Sequence, residues 1–359
     1  MNSLTTVALL FAVTVALVGG LLFWLPRLTR PDLYFAVTVA PGFRDSGEGR
    51  AILGRYRTLI LLCAAAALGL VAAGTRWPAT LVAAILIQYA GSFVAYLSCR
   101  RRVMPHAVEP VAEREAPLRA RSARLPGGWA LEAGPLLLLA GAALDLNRRW
   151  AEIPARFPIH WALDGRPDGW ASRTPANVYG LPAEGVLMCL MMAGLAYGLV
   201  RWSRPVRFGG APGEAESHFR RVVVLVLIAT EYLMGITFAG LSLLPLRSGP
   251  PPMAAMVALP LLFAAIVVVA LVREGQGGSR RASVSEQAQE GRRPVGDRTL
   301  DRYWKAGFLY VNPDDPALFI EKRFGIGYTL NFGRPGSWVI IGAIVLVPVI
   351  IGLIKVATK

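Results

Sequence analysis

Apolar positions in this chain fall in long unbroken runs. Eight stretches, near residues 4–25, 58–75, 78–99, 129–146, 183–202, 221–245, 253–272 and 337–356, carry almost no charge over about 20 residues each, the length an α-helix needs to cross a hydrocarbon core of about 30 Å. The pattern predicts an all-α integral membrane protein with about eight transmembrane helices. The fourth run is the shortest and contains Glu132, Pro135 and Asp145. The first lacks a basic n-region, exceeds a typical h-region and has no small-x-small cleavage pattern after it, so it is read as a span and not as a signal peptide.

The pattern changes in three places. Asp45 and Glu48 have the spacing of a capping box, predicting a short helix that leads into the second span. Residues 100–128 are rich in Pro and Arg without a sustained period and read as a connector. Residues 273–300 are rich in Gly, Ser, Gln and Arg and read as a disordered linker. After it, Gly307–Val311, Ala317–Ile320 and Ile326–Phe332 favour strands and are separated by turn signals. This predicts a small β module over 301–338, ahead of the last span at 337–356. The order is then a three-span region (1–128), a segment with a folded loop at 147–182 (129–202), two further spans (203–272), the linker, the module and the last span. Rows of small residues, Ala65, Gly69 and Ala73 on one span and Gly194 and Gly198 on another, are spaced for close helix packing.

Composition agrees: 54% of the 359 residues are hydrophobic and 17% charged, with a mean hydropathy of +0.47. A net charge of +15 would suggest nucleic acid in a soluble chain, but its placement decides otherwise. Alternate segments between spans hold 29 of the 38 Lys and Arg, and the others hold 9. By the positive-inside rule the basic segments and the β module face the cytoplasm, while both termini and the 147–182 loop face outward. The basicity is topology, with some attraction to anionic lipid. Eight aromatics interleave with basic residues between Tyr303 and Phe332; a small core lying against headgroups accounts for them, and no nucleic-acid partner is expected. Cys63, Cys99 and Cys189 lie in or at the ends of spans, without disulfide or metal spacing, and read as packing residues.

The chemistry concentrates in "FPIHWALDGRPDGW", residues 157–170. As an extended segment it places Ile159, Trp161 and Leu163 on one face and His160, Ala162 and Asp164 on the other. Asp164-Gly165 and Pro167-Asp168-Gly169 predict two turns. His160, Asp164 and Asp168 would then share a polar side while Trp161 and Trp170 turn toward the membrane interface. Four readings fit: an acid-base pair at the lipid surface, a divalent metal site, capture of a peptide or protein, and a loop whose Asp and His only satisfy backbone groups. No Gly-x-Ser-x-Gly, His-Glu-x-x-His or paired-Cys motif accompanies the single outward His, which weighs against an enzyme. Ligands are too few for calcium or zinc, so neither metal nor cofactor is expected. Inside the spans, Glu231 sits at a depth where a carboxylate is costly. It reads either as the working group of an envelope transporter or as a Glu paired with Gln88, Tyr89 or Tyr232. Glu132, Asp145 and Glu184 lie nearer span ends, within reach of water or headgroups.

The stretch "FPIHWALDGRPDGWASRTP" resembles a short module of SdpI-like bacterial multi-pass membrane proteins, whose pattern runs Pro-x-His-x-x-x-x-Gly-x-x-Asp-x-x-x-x-Lys. Pro158, His160, Gly165 and Asp168 match it, Arg173 stands at the Lys position, and Glu132 fits an acidic residue in the preceding span. The resemblance covers about residues 129–200, and 301–338 is similar to a second domain of unknown function that accompanies the module. It implies a bacterial cytoplasmic membrane protein giving immunity to a secreted antimicrobial peptide and relaying its presence to a cytoplasmic repressor. On that reading His160, Trp161, Asp164, Asp168 and Trp170 contact an extracellular peptide or toxin, and the basic inner face meets a regulatory protein. The chain is longer than the family's named member, with extra spans and the C-terminal module.

Overall fold

The computed structural model describes residues 3–74, 76–77, 79–110, 125–161, 166–204, 210–247, 253–280 and 299–357. Among the described residues, eight α-helices carry the fold: α1 (Ser3–Leu28), α2 (Gly47–Ala73), α3 (Ala79–Val103), α4 (Gly128–Arg148), α5 (Pro175–Trp202), α6 (Gly210–Ser242), α7 (Met253–Glu274) and α8 (Pro335–Ala357). The first seven are long and apolar enough to cross a membrane, including α4 with its Glu and Pro, and α8 is a further apolar helix. The protein is a multi-pass membrane protein. Four antiparallel two-stranded hairpins complete it: β1 (Leu33–Tyr34) with β2 (Val37–Thr38), β3 (Arg156–Trp161) with β4 (Pro167–Ser172), β5 (Trp304–Lys305) with β6 (Leu309–Tyr310), and β7 (Phe319–Glu321) with β8 (Tyr328–Leu330).

The capping box is corrected. Ser46, not Asp45, caps α2 by accepting from the Gly49 amide at 3.0 Å, and Glu48 pairs instead with His106 at 3.0 Å. A one-turn 3-10 helix, Phe43–Asp45, precedes the cap, and α2 then runs unbroken from Gly47 into the span. The small-residue rows differ from expectation in part. Ala65, Gly69 and Gly194 are exposed, and a Cβ on either glycine would meet nothing within 4 Å, whereas Gly198 is buried and Ala73 half-buried. The close approaches fall elsewhere, as at Gly91 against Cys63. All three cysteines are free, with Cys99 and Cys189 buried.

The chain divides into two compact units. The first comprises Met1–Leu118, Arg204–Phe219 and Leu271–Lys359. Its core joins the α1–α2 connection to α2 and α3 through Tyr34, Phe35, Val37, Tyr56, Ile60, Tyr96 and Cys99, with Phe324 of the β module packed on it. The β1–β2 turn puts Phe35 (φ 46) and Ala36 (φ 61) in the left-handed region, which residues with side chains resist. Arg100 offsets that strain by donating to both carbonyls, at 3.1 and 2.8 Å. Arg30 ion-pairs with Glu321 at 2.7 Å and Glu216 at 3.2 Å, and its amide donates to Gln276. Burial opposes the Arg30 charge, but the two carboxylates outweigh it and raise its pKa. Arg323, fully buried, pairs with Asp301, whose carboxylate also takes the Thr38 amide and hydroxyl. Arg204 pairs with Asp315, and its amide donates to the Phe319 carbonyl. Thus charge ties the β module to the α1–α2 connection through Arg30 and Thr38 and to Arg204 ahead of α6, while Arg30 also reaches Glu216 of α6 and, by its amide, Gln276 after α7. The polar stretch from Arg273 begins as structure: α7 continues to Glu274, and Gln276, Gly277 and Gly278 are buried. Residues 281–298 of the expected linker lie outside the described ones.

The second unit comprises Arg119–Ser203 and Arg220–Ala270. It holds α4, α5, most of α6 and the β3–β4 hairpin.

Candidate functional site

The hairpin stands between α4 and α5 on a small core of its own. Leu146, Ile153, Phe157 and Val178 are buried together, with Trp150, Ala171, Tyr179, Leu243 and Leu246 against them. Thr174 caps α5 by accepting from the Asn177 amide at 3.3 Å, with Pro175 in the first turn, and the Asn177 side chain donates to the Ser172 carbonyl at 2.9 Å. Arg173 fastens the base. Its guanidinium donates to the carbonyls of Trp150, Ala151 and Ile153, the last at 2.7 Å. The basic residue at this motif position therefore holds three carbonyls of the preceding turn, and its role here is scaffolding.

Strand register then creates the pair. Phe157 faces Ala171, Pro158 faces Trp170 and His160 faces Gly169, with shifts on either side of His160. The His160 imidazole Nδ1 contacts the Asp168 carboxylate directly. Gly169 is what permits it, since a Cβ there would stand 2.8 Å from the His160 Cβ. The expected turn at 167–169 is replaced by β4, because Pro167 pairs with Trp161 and Gly169 with His160, leaving Asp168 at the register shift between them. Nor does strict alternation hold: the shifts leave Phe157 buried, Trp161 half-buried and Ile159 exposed, although all three share parity. Asp164 and Gly165, with Ala162 and Leu163, lie outside the described residues. His160 and Asp168 are therefore in contact, Trp170 and Ile159 of the same hairpin are exposed, and Pro158 is half-buried in the strand. Alternation places Ile159 on the face opposite His160, which leaves it out of the predicted contact residues. Among the described residues no group of three or more His, Cys, Asp or Glu is placed to hold a metal ion.

The two intramembrane carboxyls come together in the same unit. Glu231 on α6 and Glu132 on α4 are 1% and 4% exposed, and Glu132 is the ionisable side chain that acts on Glu231. The Glu231 partners expected from the sequence are replaced. Tyr232 donates its hydroxyl to the Leu131 carbonyl at 2.9 Å, Gln88 is turned toward Ser92, and Tyr89 is exposed. Glu132 does not reach water, because a Cβ on Gly134 would overlap the Tyr232 hydroxyl and one on Gly235 would stand 2.9 Å from Pro135 Cβ. Helices this close seal the carboxyls in. Asp145, by contrast, is exposed and reaches Arg149 at 3.6 Å, and Glu184 is half-buried.

Residues 136–185, spanning the hairpin, match the domain of unknown function DUF1648, and residues 313–338 match the family of unknown function DUF5808. No curated protein matches the chain, and no solved structure does. The two matches coincide with the two stretches that the motif residues single out. Together with the apolar helices they describe a multi-pass membrane protein with two domains of unknown function.

Proposed function

We propose that this protein is an SdpI-like immunity or sensing protein of the bacterial cytoplasmic membrane. In it the β3–β4 hairpin faces outward and receives an extracellular peptide or toxin. The observation that carries this reading is the His160–Asp168 pair, formed across the hairpin on an open face with side chains 71% and 48% exposed and flanked by exposed Trp170 and Ile159. An aromatic anchor beside a pair able to give and take hydrogen bonds suits recognition of a polypeptide. Acid-base hydrolysis by His160 and Asp168 is disfavoured, because a pair this exposed is open to water. Trp161 adds to the contact surface, while Pro158 and Arg173 shape the hairpin.

The topology of this reading has both termini outside. The β module, the α1–α2 connection, the start of α6 and the end of α7 share the basic cytoplasmic side, as the positive-inside rule requires, and offer a surface to a regulatory protein. The test is photo-crosslinking in living cells from a reactive residue at Ile159, with a protection assay in parallel. A secreted peptide should be captured by the wild-type hairpin and lost, together with protection, in Asp168→Ala and His160→Ala at unchanged membrane abundance. Only lipid adducts, or full protection in both variants, would overturn the reading.

A further inference from the structure

All four carboxyl oxygens of Glu132 and Glu231 are buried, and no other described residue donates a hydrogen bond to them. Buried polar atoms in native proteins are nearly always satisfied, and exceptions mark a function or a bound species. The surroundings define which species fits. From α5 the Cys189 thiol lies 3.7 Å from the Glu231 main-chain carbonyl. From α6 the Tyr232 hydroxyl is committed to the Leu131 carbonyl. No Arg, Lys or His is among the groups acting on Glu231, and neither is Glu184 further along α5. No third metal-ligating side chain joins the pair among the described residues. Two facing carboxylates in a dry site repel each other, and with no cation supplied by the protein they cannot both be charged. A divalent ion lacks ligands. One proton resolves the conflict, because the O–H of one carboxyl can donate to an oxygen of the other.

We propose that Glu132 and Glu231 form an exchangeable proton-binding site inside the membrane, holding one proton between α4 and α6. The proton comes from water and returns to it, and only O–H bonds form and break. Loss of the proton would place two negative charges where Gly134 and Gly235 bring the helices into contact, so occupancy is linked to the packing of α4 on α6. This site lies apart from the hairpin residues proposed to meet a peptide, and its test does not depend on them.

The experiment is difference infrared spectroscopy of the full-length protein in phosphatidylcholine nanodiscs as pH is stepped in potassium buffer. The expected result is a carboxylic-acid carbonyl band that disappears as pH rises, shifts in frequency in Glu231→Gln or Glu132→Gln, and is absent from the double variant. The amides of that double variant can hydrogen-bond each other, which preserves the packing; monodispersity on gel filtration checks it. If the double variant misfolds, Glu231→Asp must keep a titrating band at an altered frequency. A band untouched by any of these substitutions overturns the proposal, as does the absence of a titrating band in the wild type. Disappearance of the band when sodium replaces potassium at constant pH also overturns it, and identifies sodium as the ligand.

Discussion

Asn331→Ala should release the β module from within. The Asn331 side chain is fully buried just after β8 and engages the backbone at five points. Its carbonyl accepts from the amides of Asn312 and Gly333 at 3.0 and 3.1 Å. Its amide donates to the carbonyls of Asn312, Asp315 and Ala317 at 2.8, 3.1 and 3.2 Å. At about 1 kcal/mol net per bond, discounted because part-buried Gly333 can turn to water, the loss is about 3–4 kcal/mol. Each 1.4 kcal/mol is about tenfold, so amide protection in β7 and β8 should fall by about two orders of magnitude or more if these strands open as a local unit. Hydrogen exchange read by mass spectrometry on the full-length protein in nanodiscs measures it directly. Asn331→Asp should lose at least as much, because a carboxylate oxygen would then face three carbonyls. Protection within about threefold of wild type, or an equal loss throughout α4 and α5, would refute the assignment of Asn331 as the tie of this module.

Three further outcomes follow from particular contacts. Gly169→Val should displace β4 from β3, so that a disulfide between Arg156→Cys and Ser172→Cys, register partners in the native hairpin, forms in the parent and not in the variant. Ser46→Ala should cost about 1 kcal/mol through the lost α2 cap, read as a lower unfolding midpoint in denaturant, whereas Glu48→Ala should cost less, since it loses only an exposed pair. Tyr34, buried and donating to the Gly49 carbonyl at 2.8 Å, has its pKa pushed up by burial to about 12. The fold therefore favours the neutral phenol: that contribution is complete below about pH 10, the ordinary tyrosine value, and is lost as pH rises through about 12. Tyr34→Phe should flatten this part of the alkaline unfolding curve, and an unchanged curve would count against it.

The spans were legible because a hydrocarbon solvent imposes one requirement, about 20 apolar residues with the backbone satisfied internally, and each run meets or fails it alone. Three strand segments in 309–330 were legible for a similar local reason. Short β-favouring runs between turn signals announce themselves, although β5 at Trp304–Lys305, which lies outside those runs, did not. Most of what escaped was set by a partner distant in sequence, the α2 cap being a local exception. Asn331 looks like an ordinary turn residue until the 312–317 loop wraps around it. Ser46 took the cap from Asp45 by one position, and the left-handed Phe35 and Ala36 are tolerable only because Arg100 donates to their carbonyls. Small-residue spacing was a poor guide to helix contact, because a row of Ala and Gly is compatible with either a partner or lipid, and only the facing helix decides between them.

The same distinction separates the two halves of the candidate site. His160 and Asp168 lie eight residues apart on one hairpin, so a motif reading could bring them near each other, though not the register that makes Gly169 the permissive position. Glu132 and Glu231 lie on helices far apart in the chain, and each alone has an ordinary explanation: one near a span end, the other hydrogen-bonded to a neighbour. Only the depth to which α4 and α6 interlock at Gly134 and Gly235 turns two separately tolerable carboxyls into a pair that cannot both be charged. That interlocking depends on residues without side chains, which carry no chemistry of their own in a sequence. A search for intramembrane acid sites in chains of this kind should therefore begin from glycines facing bulky residues on a neighbouring helix, and only then ask which carboxyls lie within a turn of them.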